Sequence, residues 1–145
     1  MKKIMIFLFS LILLTGCTKE ETIEHVYCST NDETLGNLVK IELELRNDKL
    51  YFMRQTQVIE YETIEKASEA AVNLDANSYL INDVYDHIKA KVEVDGTNVL
   101  AITEHEVSKF NQNEKDAIAL TDNSKAGLIQ NFEKMGYKCT EKESN

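Results

Sequence analysis

Residues 38–45 read Leu-Val-Lys-Ile-Glu-Leu-Glu-Leu, with Val39, Ile41, Leu43 and Leu45 on one side and Lys40, Glu42 and Glu44 on the other. Period-two alternation puts every second side chain on one face of a strand, so this stretch has one apolar and one wet face. Arg46-Asn47-Asp48-Lys49 holds turn formers and leads into a second apolar-rich run at residues 50–61. Two strands joined by so short a loop are predicted to form an antiparallel hairpin. The second run changes phase: Leu50, Phe52 and Val58 share one parity, and Tyr51, Met53, Ile59 and Tyr61 the other. A β-bulge near residues 54–57 would reconcile them.

The rest of the chain supplies more strands and the layer that covers them. Residues 23–30 alternate, with Val26 and Cys28 on one side and His25 and Tyr27 on the other. Thr63 is a candidate cap for a helix carrying Ile64, Ala67, Ala71 and Leu74 at helical spacing. Asp75-Ala76-Asn77-Ser78 either interrupts that helix or continues it, with further apolar residues from Tyr79 to Tyr85. Ile88, Ala90, Val92 and Val94 alternate with charged residues, Asp95-Gly96 is a hairpin dipeptide, and residues 98–107 return as the next strand. Residues 110–120 are polar with scattered apolar residues and are read as a single helical turn. A last helix is capped by Asp122 or Asn123, carries Leu128, Ile129, Phe132 and Met135, and stops at Gly136. Hairpin strands and helices with one apolar stripe each predict an α+β domain: an antiparallel sheet with helices packed on one face. Its expected extent is residues 23–139, with 140–145 a charged, disordered tail.

The N-terminus gives an address. Lys2 and Lys3 precede an apolar run at residues 4–14, and Leu14-Thr15-Gly16-Cys17 follows. That is the order of a cleaved secretory signal, and at about 1.5 Å per residue the apolar run is too short to span a bilayer. The residues before Cys17 resemble the lipobox of bacterial lipoproteins. The resemblance implies removal of residues 1–16, lipid on Cys17 and a tether over 17–22; an ordinary signal peptide with an incidental cysteine is the alternative. The expected location is extracytoplasmic, anchored by lipid to the cell membrane, or to the outer membrane of a diderm, since Thr18 rather than aspartate follows Cys17.

The formal charge is −9, and loss of Lys2 and Lys3 with the leader makes it −11. A chain so negative is repelled by nucleic-acid phosphates and anionic headgroups, which excludes nucleic acid as a partner and leaves membrane attachment to the lipid. Of three cysteines, Cys17 is taken by the anchor. Cys28 and Cys139 remain as an even pair in an oxidising compartment, and a disulfide between them is expected, two free thiols being the alternative.

No motif for catalysis emerges. The glycines are too scattered for a phosphate loop or a nucleophile elbow. His105-Glu106 opens like a zincin helix, but Lys109 stands where the second histidine must be. Asp75-Ala76-Asn77 opens like a calcium loop, lacks its glycine, and has Asp86 in place of the bidentate glutamate. His25, His87 and His105, near Glu24, Glu104 or Glu106, would make a zinc or copper site only if their strands brought them to one face; none has ligand spacing in sequence. The expectation is no catalytic residue, no cofactor and no metal.

The lipobox, Asn47-Asp48-Lys49-Leu50 at the hairpin turn, the alanine-bearing helix at residues 64–74 and the ending Met135-Gly136-Tyr137-Lys138 together resemble the small YehR-like bacterial lipoproteins. That family has no assigned activity, so the resemblance implies fold and location and no catalytic residue; the Cys28 and Cys139 pair departs from its pattern. The functional expectation is a non-catalytic binding or interaction module of the cell envelope, acting on an envelope protein or small ligand. The alternative is a solute- or metal-binding lipoprotein working with a membrane partner.

Overall fold

The computed structural model describes residues 21–32, 37–118 and 122–142. Its elements, in chain order, are β1 (Ile23–Asp32), β2 (Asn37–Arg46), β3 (Lys49–Glu60), α1 (Ile64–Val84), β4 (Ile88–Asp95), β5 (Asn98–His105), α2 (Gln112–Ile118), α3 (Lys125–Lys134) and β6 (Lys138–Lys142). A single 3-10 turn at Val107–Lys109 separates β5 from α2. The strands form one antiparallel sheet in the order β4-β5-β3-β2-β1-β6. The expected signal sequence, residues 1–16, and the expected lipidation site, Cys17, lie outside the described residues.

The β2–β3 hairpin turns on Asn47 and Asp48, both left-handed at φ 51° and 62°. Two such residues make the turn whose twist matches that of the flanking strands. The bulge sits beside this turn and not at residues 54–57, which pair one for one with residues 39–42. Leu45 opposes Leu50 and Glu44 opposes Phe52, so Tyr51 is the extra residue. The Arg46 guanidinium lies 3.5 Å from the centre of the Tyr51 ring, stacked on the bulged residue. The inserted residue explains the change of phase: Leu50 and Met53, an odd number apart, both face the core.

That core gathers Val26, Cys28, Ile41, Leu43, Leu45, Leu50 and Met53 from β1, β2 and β3 beneath Leu128 of α3. Ile129, Phe132 and Tyr137 pack at its border, the last two edge to face. Ser124 caps α3 by accepting from Gly127 N; of the two expected caps, Asp122 instead accepts from Ser124 N, and the Asn123 carbonyl accepts from Leu50 N. Met135 leaves the predicted stripe and is exposed, because the helix ends at Lys134 and the chain turns through Gly136 at φ 90°. Residues 140–142, expected in the tail, belong to β6 and pair with β1.

Helix α1 crosses from β3 to β4 without a break; residues 75–78 contain no glycine or proline, so nothing in the backbone chemistry stops the helix. It lies against β4, which is an edge strand. Asn82 grips that edge: its Nδ2 donates to Ala90 O at 2.9 Å and its Oδ1 accepts from Ala90 N at 2.8 Å. An unpaired strand edge invites pairing with other chains, and this contact closes it locally. Asn82→Ala should cost about 1–2 kcal/mol in urea unfolding and make the Ala90 amide exchange faster; an unchanged midpoint and an unchanged Ala90 rate would contradict it.

Candidate functional site

The three histidines do not converge. His25 lies in β1 between Val26 and Glu24, alternating away from the core, and pairs with Glu44 of β2. His105 ends β5 opposite Met53 and Ile88, buried on the core face and edge-on to Phe110. His87 precedes β4, where its carbonyl accepts from Glu106 N. Among the described residues no group of three or more His, Cys, Asp or Glu side chains is disposed to hold a metal ion. Glu24 is committed elsewhere, to Lys125 at 2.8 Å, and Glu104 to Arg54 at 2.8 Å. The calcium-like residues 75–77 are inside α1 and the zincin-like residues 105–109 straddle a strand end and a 3-10 turn, so neither local structure suits its motif.

One buried charge stands out in their place. Glu114 of α2 is wholly buried. Its Oε1 accepts from His87 N at 2.7 Å, and its Oε2 accepts from Asn111 N at 2.9 Å and faces His87 Nδ1 at 3.0 Å. Asn111 Oδ1 accepts from Glu114 N in return, which makes a capping box at the start of α2. Burial pushes this carboxyl upward, but the backbone donors and the His87 ring outweigh it and bring its pKa down to about 2. His105 moves the same way for a different cause: burial of its ring disfavours the charged form, and its Nδ1 has no hydrogen-bond partner among the described residues. Glu114 thus fastens the start of β4 to the 107–114 segment through His87 and Asn111.

Arg54 bridges Glu42 on one neighbouring strand and Glu104 on the other. On the core-facing side, at the rim, Lys125 of α3 joins Glu24 and Glu141, and those two carboxylates hold its ammonium well above the ordinary lysine range. Cys28 and Cys139 are direct partners across β1 and β6, with sulfurs 2.03 Å apart. This tie joins the first strand to the last.

Helix α1 is different. It has 21 residues, yet only Ala67 and Ser78 are buried. Ala71, Leu74 and Ile81 are half-buried on that same side. Val72, Leu80 and Val84 are 72%, 65% and 70% exposed, and Tyr79 is 67% exposed. With exposed Ala76, the residues at 72, 76, 80 and 84 are four apart and form one ridge along the helix. Glu65, Glu69 and Asp83 lie on that exposed side, and the helix's one lysine, Lys66, is paired with Glu62.

No protein-family model and no curated protein sequence matches this chain. Solved structures do. An NMR structure of the YehR protein of E. coli superposes with a TM-score of 0.62 at 15% identity, covering 87% of this chain and 96% of that one. The fold is YehR-like. An NMR structure of a protein from Streptococcus pneumoniae TIGR4 shares it, with a TM-score of 0.57 at 9% identity over 97% of this chain and 98% of that one. At such identities the likeness carries the YehR-like fold and no residue role. Sequence alone does not say which side of α1 is exposed, because the helix has apolar residues on two sides. The 64-67-71-74 series marks the buried side, although Ile64 itself is 57% exposed, while 72, 80 and 84 fall off that series.

Proposed function

We propose that this protein is a lipid-anchored, extracytoplasmic, non-catalytic interaction module that binds an envelope protein through the outer face of α1. The exposed ridge of Val72, Leu80 and Val84 beside Tyr79 carries the reading. Apolar side chains in a continuous row on a helix mark a contact surface more often than scattered ones do. No helix among the described residues is long and apolar enough to cross a membrane, so the ridge is not read as a span. Charge chooses the partner. Glu65, Glu69 and Asp83 would meet their own like charges in a second copy, whereas a partner helix or groove with a cationic rim meets opposite ones. The lipobox resemblance at Cys17 supplies the anchor in this reading. The solute-binding alternative has its own observation, a cleft beside the β2–β3 turn.

The test is co-purification of the tagged full-length chain from envelope dissolved in non-ionic detergent. Wild type and the control Lys91→Glu should retain the same partner, and added salt should weaken it. Val72→Glu with Leu80→Glu should lose it, and Glu69→Lys with Asp83→Lys should weaken it by about tenfold or more. These positions are exposed, so the variants keep the wild-type melting temperature. Equal recovery by all four proteins, or salt-insensitive recovery, would overturn the reading.

A further inference from the structure

A cleft of about 430 Å³ opens between the β2–β3 turn and the segment from β5 to α2. None of its lining residues belongs to α1. Leu50, Val107 and Phe110 give it an apolar floor, and Arg46, Lys49 and Lys115 bring three cations to its walls. In a chain of net charge −9 that concentration is local and opposite to the surroundings. The cations are not equivalent. Arg46 is engaged by Glu44 at 2.8 Å and by Glu21 at 3.9 Å, and is stacked on Tyr51. Lys49 and Lys115 are exposed and have no ion-pair partner among the described residues. Their charge is available to a ligand, while Tyr51 under Arg46 offers a flat wall.

The chain enters the domain at this same place. Thr22 O accepts from Asn47 N at 3.0 Å, Thr22 N donates to Asn47 Oδ1 at 3.3 Å, and Glu21 reaches Arg46. Cys17 stands four positions before Glu21, a reach of at most about 14 Å for extended chain. On the reading that Cys17 carries lipid, the mouth of the cleft is tethered close to the bilayer surface.

We infer that this cleft binds an amphipathic anion, an acyl or aryl group bearing a phosphate or carboxylate, with the apolar part on Leu50, Val107 and Phe110 and the anion between Lys49 and Lys115. The volume suits a ligand of that size, and an apolar cavity with a few convergent polar groups is the usual form of such a site. Two ammonium groups make charge-assisted contacts to an oxyanion. The acyl or aryl requirement separates this ligand from inorganic phosphate, which the cations alone would serve.

The test is an NMR titration of the full-length chain in phosphatidylcholine nanodiscs with hexyl phosphate, hexanoate, hexanol and inorganic phosphate. Hexyl phosphate or hexanoate should shift the amides of Lys49, Leu50, Val107 and Ser108 saturably, at least about tenfold more tightly than hexanol or inorganic phosphate. Lys49→Gln with Lys115→Gln, both exposed sites, should weaken that binding by about tenfold or more while leaving the remaining amide spectrum in place. In nanodiscs containing phosphatidylglycerol, the same shifts without added ligand identify the bilayer as the source of the anion; their absence identifies a free solute. Binding that ignores the lysines, equals that of hexanol, equals that of inorganic phosphate, or does not occur would overturn the inference. Mass analysis of Cys17 tests the anchor separately, so failure of the cleft and failure of the tether are told apart.

Discussion

Replacing Cys28 and Cys139 together by alanine should lower stability by about 4–5 kcal/mol, as expected for opening a closed loop of this length. The two residues are 111 positions apart, and their bond joins the first and last strands of the sheet. In the unfolded chain it shortens nearly the whole domain into one loop, so its removal enlarges the denatured ensemble. The folded state suffers too. β6 is a short edge strand attached through β1, and it also carries Glu141, one of the two partners of Lys125. The check is urea unfolding of the oxidised chain, of the chain in reductant, and of Cys28→Ala with Cys139→Ala. Reduced and doubly substituted forms should share one lowered midpoint. A midpoint unmoved by reductant would contradict the pairing, as would two alkylated thiols in the oxidised protein.

Glu114→Gln should have the next largest effect, lowering the melting temperature by roughly 5–10 °C. The carboxylate takes donors from His87 N, Asn111 N and the His87 ring, and an amide must turn its own NH₂ toward one of them. The pH dependence has a definite sign. The carboxyl's pKa is about 2 in the folded chain against an ordinary 4.5, so its contribution is complete above the ordinary value and fades as pH falls toward 2. Wild type and variant should therefore differ most at neutral pH and converge across that window. His105 acts higher on the scale. Its pKa is depressed below the ordinary 6.5 by burial, so the unfolded chain takes up the proton first and stability falls with acid from about pH 6.5 downward. That upper slope should be present in both proteins. Scanning calorimetry from pH 7 to pH 2.5 reads both effects, and a constant gap between the two curves down to pH 2.5 would contradict the role given to Glu114.

What the sequence made legible was the pattern that local physics dictates. Alternation at 39, 41, 43 and 45 and the Asn47-Asp48 turn specify the central hairpin before anything else is known. Gly136 marks the end of α3, and Thr63 the start of α1, from capping chemistry alone. The parts that stayed hidden depend on partners far away in the chain. The bulge falls at Tyr51, beside the tight turn and against Arg46, a contact that alternation alone does not reveal. β6 has little apolar pattern of its own and becomes a strand by pairing with β1. Glu114 reads as one acid among many until His87, 27 positions back, is found beside it. The cleft joins residues 46–51 to residues 107–115 and has no signature in either segment. The outer ridge of α1 is visible as spacing, but only packing decides which of a helix's apolar sides the sheet takes.

The direct measurement of the account is site-specific photo-crosslinking in living cells, with the reactive residue at position 72 or 80 on α1 and at position 89 or 91 on the outward side of β4. One discrete adduct with a single envelope protein is expected from 72 and 80 and none from 89 and 91, and the adduct should be lost when Cys17→Ala removes the proposed tether. Equal adducts from both faces, no adduct from α1, or an adduct of twice the chain's own mass would contradict it.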